Sequence, residues 1–262
     1  MGTRTRPLTE AEFSRYLLVI NDPPPQMLPS AAVCAFLLGS GARISEALGL
    51  RFKDVFLNSG EPKEEITRTV SKKKDKGKLT PSAVAAVRRF GEAFGIEEEE
   101  VLRFMAEYPP PAGKRVRLTV PFPWEAVGKS LTRWGGECRR QFLIRPEEPL
   151  FSARWTRRAM NRRSVLRANR RLLEIAGVDP DRVGLHGLRK TFLRKVLKEE
   201  LRRGTDKFDA IRKVQRLAGH VRIETTLLYL RDEIEGDLAD ALCRAFADAC
   251  PECATNNIQE EY

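Results

Sequence analysis

Two histidines, a tyrosine and an arginine form the sharpest chemical pattern in this sequence. His186 opens the segment H-G-L-R, which places Arg189 three residues later, and His220, the only other histidine, precedes Tyr229 by nine residues. Residues three apart on a helix share a face, so the imidazole of His186 and the guanidinium of Arg189 can act on one group. A single histidine is usually structural, but two of two beside phosphate-compatible partners favour a functional site.

The chemistry that these residue types support is displacement at the phosphorus of a phosphodiester. The guanidinium groups of Arg43 and Arg189 can hold the non-bridging oxygens, and His220 can add a hydrogen bond. The phenol of Tyr229 is the candidate nucleophile, forming a covalent phosphoryl-enzyme bond. A lysine of a nearby basic hairpin can protonate the departing oxygen, and His186 would assist proton transfer or hold the phosphate. Side chains supply every cation, so we expect no metal and no cofactor.

The distribution of charge favours a polyanionic partner. The 262 residues carry a net charge of +11, yet residues 232–262 hold nine acidic residues against Arg244 alone. Residues 154–171 contain eight arginines and no acid. A guanidinium can donate two hydrogen bonds to two phosphate oxygens, so this block predicts nucleic acid as the partner. A solvated helix face is the alternative, although such faces usually mix charges of both signs.

Composition excludes several protein classes and indicates a cytoplasmic protein. A hydrophobic content of 42% with 32% charged residues is typical of a soluble globular chain. The longest apolar run, residues 31–38, is too short to span a bilayer, and no apolar stretch follows the basic N-terminus as in a signal peptide. Five cysteines without framework spacing argue against a disulfide-stapled secreted domain.

The elements that must position these residues are mostly helical. Thr9 and Glu12 predict a capped helix start, residues 28–39 a buried helix, and a short helix begins near Arg43. Further helices are predicted from residue 81 and over 165–176, 185–201, 213–217, 224–230 and 236–249. Residues 53–62 are predicted as a strand and turn, and residues 64–81 as a hairpin with a basic tip. The predicted fold class is mainly α with a small antiparallel β-sheet.

Three segments of the sequence resemble the signature boxes of the tyrosine recombinase (phage integrase) family. They are G-A-R-I-S-E-A-L-G-L, H-G-L-R-K-T-F and L-A-G-H-V-R-I-E-T-T-L-L-Y, and they lie in order between about residues 39 and 231. The resemblance implies that four residues bind and activate the scissile phosphate and that Tyr229 forms a 3′-phosphotyrosyl bond, freeing a 5′-hydroxyl. Those four are Arg43, His186, Arg189 and His220. Glu46 resembles the acid that the family places behind its first arginine.

The family also carries a catalytic lysine on a β-hairpin, and the resemblance implies a position for it here. When S-K-K-K-D-K-G-K-L-T-P is laid on the family's pattern with Pro81 as the anchor, Lys73 takes the catalytic place. A basic loop that only touches DNA backbone fits most of these lysines as well. The residues expected to contact DNA are Lys72, Lys74, Lys76, Arg154, Arg157, Arg158, Arg162 and Arg163.

Two departures from the family pattern concern domain organisation. The segment that usually opens the catalytic domain begins near residue 8, so we expect residues 1–262 to be a single catalytic domain without the N-terminal core-binding domain. The alternatives are a natural protein with the catalytic domain alone, removal of the other part, and a partner that supplies it. Residues 92–148 exceed the usual linker and are expected to be an insertion that either grips DNA or is structural. An amphipathic helix and an acidic tail occupy residues 232–262.

The function expected from the resemblance is that of a site-specific DNA recombinase or integrase of a mobile element. Double-stranded DNA is the expected partner, with a homodimer or homotetramer assembled on it, and no membrane is involved. Helix 236–249 either docks into a neighbouring protomer or packs on its own core. Cys243, Cys250 and Cys253 are expected to be free thiols, since no fourth zinc ligand follows. A topoisomerase IB-like or telomere-resolvase-like enzyme and a non-catalytic DNA-binding regulator are the alternatives.

Overall fold

The described part of the protein is mostly helical and contains one short antiparallel sheet. The structure is a computed structural model that describes residues 5–71, 85, 88–89, 91–92, 95–97, 99–101, 103, 115–142, 145–152, 158–220, 225–227 and 230. The elements, in chain order, are α1 (Glu10–Asn21), a 3₁₀ turn (Pro25–Met27), α2 (Leu28–Ser40), α3 (Ile44–Leu48), α4 (Phe52–Val55), β1 (Glu65–Ser71), β2 (Arg115–Pro121), α5 (Trp124–Val127), α6 (Lys129–Phe142), α7 (Arg162–Ile175), α8 (Leu185–Arg202) and α9 (Lys207–Ala218). This bears out the fold class that the sequence predicts.

The chain forms two compact units. One comprises residues 1–75 and 111–221 and contains every element named above, and the other comprises residues 76–110 and 222–262. In the second unit, the described residues 88–89, 99–101 and 225–227 are helical, and Val101, Thr226, Leu227 and Leu230 are buried. The organisation of residues 1–262 as a single catalytic domain stays a prediction.

Helix α2 is the centre of the first unit. All thirteen of its residues are buried, as its continuous apolar sequence predicts, and it packs against α1, α6, α7 and α8. The ring of Phe36 stacks on Phe122 with centroids 5.9 Å apart and tilts against Phe151 at 6.1 Å. The helix ends at Gly41, whose φ of 60° is the left-handed conformation that glycine adopts most readily.

A buried polar contact ties α1, α2 and α7 together. The Tyr16 hydroxyl donates to Asn169 Oδ1 at 2.6 Å, and the thiol of Cys34 lies 3.5 Å from the same oxygen. All three residues are at most 1% exposed. Burial raises the pKa of the Cys34 thiol to about 12. The thiol therefore stays protonated and acts as a small packing group.

The sheet joins two segments that are distant in the sequence. Strand β1 pairs antiparallel with β2, from Glu65 opposite Pro121 to Ser71 opposite Arg115. The partner strand comes from residues 92–148, which sequence analysis interprets as an insertion, so part of this stretch completes the fold. Ile66 of β1 is fully buried. Residues 72–81 of the predicted hairpin, which include its basic tip, lie outside the described residues.

Three predicted elements need correction. Residues 52–55 form the helical turn α4 instead of a strand, because Asp54 accepts the Arg51 amide at 2.8 Å and Phe52 stacks on Phe56 at 4.9 Å. Helix α9 begins at Lys207 instead of Lys213, because Asp206 caps it by accepting the amides of residues 208 and 209.

In α7 the predicted apolar face is narrower than the sequence pattern suggests. Val165, Leu172 and Leu173 are buried, whereas Leu166 and Ile175 are 47% and 55% exposed. Their outward orientation follows from the helical period, since both lie beyond the stripe that faces α2. Other boundaries are confirmed, including the capping box of Thr9 with Glu12 and the helix from Leu185. The predicted helix 236–249 lies outside the described residues.

A membrane-crossing helix would have to be long and apolar, and none of the helices in the described part of the chain has both properties.

Replacement of Gly41 tests how tightly the end of α2 is packed. A Cβ at this position would lie 2.4 Å from Phe192 Cδ1, in addition to the strain of a left-handed backbone. Gly204 is a matched control, because its φ of 78° is also left-handed but no heavy atom lies within 4 Å of its Cβ position.

We expect Gly204→Ala to lower the free energy of unfolding by about 1 kcal/mol, from backbone strain alone. Gly41→Ala should lower it by about 3 kcal/mol, because overlap with Phe192 adds to that strain. Urea unfolding followed by circular dichroism measures both values. Equal losses for the two variants would contradict the packing described here.

Candidate active site

Arg43 stands at the start of α3, where an acid on the same helix orients it. The Arg43 amide donates to Glu46 Oε2 at 3.0 Å, and its Nη1 donates to Glu46 Oε1 at 2.9 Å. The carboxylate is three residues into the helix, so one side chain both caps α3 and holds the guanidinium. The Glu46 side chain is 6% exposed whereas that of Arg43 is 38% exposed. The arginine is thereby fixed in direction and still open to solvent.

Arg189 is the buried cation of the site. It lies in the second turn of α8 and is 1% exposed. Its Nη1 donates to the carbonyl of Gly41 and its Nη2 to the carbonyl of Ala218, both at 2.5 Å. These carbonyls end α2 and α9, where helices carry unpaired acceptors and partial negative charge. Arg189 therefore joins three helices at one point.

His220 meets Arg189 directly after the end of α9. Its Nε2 lies 3.1 Å from Arg189 Nη2, and the residue is 5% exposed. Gly219 turns the chain with a φ of 61°, and the amide of His220 donates to the carbonyl of Gln215. This helix end explains the sequence A-G-H, because glycine permits the left-handed turn that brings the imidazole back towards α8.

His186 lies in the first turn of α8, one helical turn before Arg189, and it is exposed at the surface. Partial desolvation of the imidazole, followed by the charges of Arg189 and Lys190, lowers the pKa of His186 to about 4. Arg43 and Arg162 act in the same direction. The exposure of the residue limits the effect of burial, but all of these cations oppose protonation. His186 is therefore neutral at physiological pH.

The structure brings together five of the predicted site residues. Arg43 and Glu46 are hydrogen-bonded to each other, and Arg189 Nη2 lies 3.1 Å from His220 Nε2. The charge of Arg43 contributes to the lowered pKa of His186. Of the predicted DNA contacts, Arg162 and Arg163 are exposed at the start of α7, and Arg158 is exposed four residues before it. The remaining predicted residues lie outside the described residues: Lys72, Lys73, Lys74, Lys76, Arg154, Arg157 and Tyr229.

Sequence reasoning missed the groups that hold the site. The carbonyls of Gly41 and Ala218 are the acceptors for Arg189, and backbone acceptors carry no signal of residue type. Lys190 was not predicted as part of the site either, although its position directly after Arg189 indicates a second positive charge near His186. The left-handed glycines two residues before Arg43 and one before His220 were the available clues.

The described residues include no group of three or more histidine, cysteine, aspartate or glutamate side chains arranged to hold a metal ion. Two cysteines among them, Cys34 and Cys138, are buried free thiols. Cys243, Cys250 and Cys253 lie outside the described residues, so their expected state stays a prediction.

A sequence model described as the phage integrase family matches residues 89–235, more than half of the chain. The match includes His186, Arg189, His220 and Tyr229 and begins after Arg43. No curated protein matches the sequence significantly.

The fold is similar to several solved recombinase structures. XerA recombinase is 19% identical with a TM-score of 0.51, over 87% of this chain and 60% of that chain. XerH site-specific recombinase in a post-cleavage complex with palindromic difH substrate is 16% identical with a TM-score of 0.55, over 92% and 52%. The Tn1549 transposon integrase in complex with circular intermediate DNA is 18% identical with a TM-score of 0.50, over 85% and 60%. This chain thus spans about half to three fifths of their length.

The lowered pKa of His186 predicts a specific pH dependence. We expect its imidazole to titrate with a pKa of about 4 in the folded protein, measured from the ring resonances in NMR spectra. Between that value and the ordinary 6.5, the unfolded protein binds more protons, so the free energy of unfolding falls as the pH is lowered through this window.

In His186→Gln this contribution should disappear, and urea unfolding between about pH 6.5 and pH 4 should show a shallower loss of stability than in the wild type. A His186 resonance that titrates near 6.5 would contradict the surroundings described for the ring.

Proposed function

Because this chain belongs to the phage integrase family, we propose that it cuts and rejoins double-stranded DNA as a site-specific recombinase through a 3′-phosphotyrosyl bond on Tyr229. The observation that carries the proposal is the set of bonds made by Arg189. They connect residue 41, two residues before Arg43, with residues 218 and 220. Segments of all three signature boxes thus meet at one cationic point.

The arrangement suits a phosphate with charge developing on its non-bridging oxygens. The Arg43 side chain is accessible to solvent and oriented by Glu46, whereas Arg189 and His220 are buried. Preorganised donors of this kind stabilise a transition state because they need no reorientation during the reaction. Arg43 would contact the phosphate from the solvent side, and Arg189 would supply positive charge from the protein interior.

In the proposed reaction the phenolic oxygen of Tyr229 attacks phosphorus and the bond to the 5′ oxygen breaks. The departing 5′ oxygen takes a proton from Lys73, the role that the family resemblance implies. His186 is neutral at physiological pH, which supports its use as a hydrogen-bond partner or as acceptor of the phenolic proton. Attack by the 5′-hydroxyl of another strand reverses these steps and releases Tyr229.

Several observations support DNA as the substrate. Arg162 and Arg163 are exposed at the start of α7, Arg158 is exposed four residues before it, and the charge of Arg162 reaches His186. An arginine surface beside the site would hold the phosphates that flank the reacting one. The similar XerH and Tn1549 structures contain DNA. Exchange between two duplexes requires at least two copies of the chain, so we also propose a homo-oligomer on DNA.

The experiment that tests the proposal uses a duplex nicked near a candidate target site, taken from the DNA that flanks the gene. The nick lets a short fragment diffuse away after cleavage, so the covalent complex accumulates. We expect the wild type to form a protein–DNA adduct on a denaturing gel and Tyr229→Phe to form none, because the nucleophilic oxygen is missing. An adduct formed by Tyr229→Phe would contradict the proposal.

Arg43 has a matched control in the same unit. Arg51 also begins a short helix, its amide also donates to an acid three residues later, and its side chain pairs with Glu147. We expect Arg43→Ala to slow adduct formation by about 100-fold, by analogy with loss of one preorganised donor, and Arg51→Ala to stay within about twofold of the wild type. Equal effects would mean that general positive charge, not this site, drives the reaction.

A supercoiled plasmid and a duplex with open ends, tested beside the nicked duplex, separate the alternatives. An adduct with relaxation of supercoiled plasmid but no exchange between duplexes would indicate a topoisomerase IB-like enzyme, and closed DNA ends a telomere-resolvase-like one. Salt-dependent binding without any adduct would indicate a regulator. If only binding is observed, adding a candidate partner that supplies a core-binding domain would show whether the chain then forms the covalent adduct or still only binds DNA.

A further inference from the structure

Residues 5–8, which precede the Thr9 N-cap of α1, run across the start of α8. We call Thr5–Leu8 the N-terminal strap. Lys190 Nζ donates to the carbonyl of Thr5 at 2.7 Å, and the amide of Leu8 donates to Thr191 Oγ1 at 2.9 Å. The amide of Arg6 donates to the carbonyl of Arg182, just before the helix. The strap is thus hydrogen-bonded to the same end of α8 that carries His186 and Arg189.

The strap approaches the helix too closely for any side chain between them. A Cβ on Gly187 would lie 2.5 Å from the carbonyl oxygen of Arg6. Gly187 stands between His186 and Arg189 in the second signature box. Its missing side chain therefore has a physical reason: the backbone of the strap occupies that space.

The other side of the strap is anchored to α1 and to the core. Arg6 donates two hydrogen bonds to the Glu12 carboxylate, each 2.6 Å long. This pair lowers the pKa of Glu12 to about 2, so the carboxylate keeps its charge across the neutral range. Leu8 is 2% exposed and belongs to the hydrophobic core. The strap is therefore held on both sides.

Thr191 is the link between the strap and the site. Its hydroxyl accepts the Leu8 amide and donates to the carbonyl of Gly187 at 2.9 Å, and the residue is 1% exposed. The carbonyl that it holds belongs to the residue directly after His186. A displacement of the strap therefore acts on the turn that lies between His186 and Arg189.

We propose that the N-terminal strap positions the phosphate-binding end of α8, with Thr191 and Lys190 as positioning residues for His186 and Arg189. This inference rests on the proposed function for its catalytic consequence. The strap's bonds to the helix fall at residues 190 and 191, within five residues of His186. A contact that moves the chain at Thr5 would change the geometry of the site without touching the DNA.

Thr191→Val tests the link, because valine keeps the shape of threonine and removes both hydrogen bonds. Thr191→Ser retains the hydroxyl and serves as the rescue. Thr205→Val is the matched control: this threonine follows α8, is half-buried, and its hydroxyl donates to Glu200, away from the strap. Arg6→Met is a second variant, which releases the strap from Glu12 without altering α8 and serves if Thr191→Val does not fold.

The first readout is the single-turnover rate of adduct formation on the nicked duplex, with the dissociation constant for DNA measured alongside. We expect Thr191→Val to reduce the rate about tenfold, because a small misplacement of reacting groups is costly, and to leave the dissociation constant within about twofold. Arg6→Met should change the rate in the same direction. Thr191→Ser and Thr205→Val should both react at nearly the wild-type rate.

The second readout needs no activity and no DNA. The chain has only two histidines, so the ring resonance of His186 is readily assigned in NMR spectra. We expect Thr191→Val and Arg6→Met to shift this resonance and its titration midpoint, and Thr191→Ser and Thr205→Val to leave both unchanged. Thr191→Val removes no charge, so a shift in this variant reports a change in the position of the ring. The shift in Arg6→Met also contains the effect of losing the Arg6 charge.

The two readouts separate failure of the inference from failure of the proposed function. If the wild type forms no adduct but Thr191→Val and Arg6→Met shift the His186 resonance, the strap stands as a positioning element and the proposed function falls. If the adduct forms at an unchanged rate in both variants and the His186 resonance does not move, the strap inference is overturned. A fall in rate reproduced by Thr205→Val would also overturn it, since that loss would reflect general destabilisation.

Discussion

The buried guanidinium of Arg189 is the interaction on which the candidate site depends. A cation this far from water is stable only when groups with complementary charge surround it, and the carbonyl ends of α2 and α9 provide them. Those two helix ends carry Gly41 and Ala218, which stand two residues from Arg43 and His220 respectively. One side chain therefore sets where the other cationic and imidazole groups lie relative to α8. The left-handed turns that close both helices are part of the same constraint.

The site divides its groups between a buried frame and an accessible surface. Arg189, His220 and the carboxylate of Glu46 are nearly inaccessible, whereas Arg43 and His186 are exposed. Glu46 orients Arg43 without covering it, which suits a group that must meet a substrate. Partial desolvation of the His186 imidazole, together with this concentration of positive charge, lowers the pKa of the ring. An incoming phosphate would reduce that repulsion and raise the pKa of the ring.

Sequence patterns predicted the individual helices better than the contacts between distant segments. The continuous apolar run of α2, the capping box of α1 and the short helix after Arg43 are local signals, and each is confirmed. The pairing of β1 with residues 115–121 was missed because strand pairing between distant segments leaves no local pattern. For the same reason the sequence indicated that Arg189 and His220 matter but not that backbone carbonyls hold Arg189. Tyr229 and Lys73 rest on the family resemblance, since both lie outside the described residues.

The most direct test of the account identifies the residue that carries DNA after cleavage. Trypsin should release residues 223–231 as one peptide, because it cleaves after Arg222 and after Arg231, and Tyr229 is the only tyrosine of that peptide. After nuclease digestion of the adduct, mass spectrometry should find the added nucleotide mass on this peptide, with fragment ions placing it at Tyr229. A nucleotide bound to another peptide, or to Thr225 or Thr226 within this one, would contradict the account.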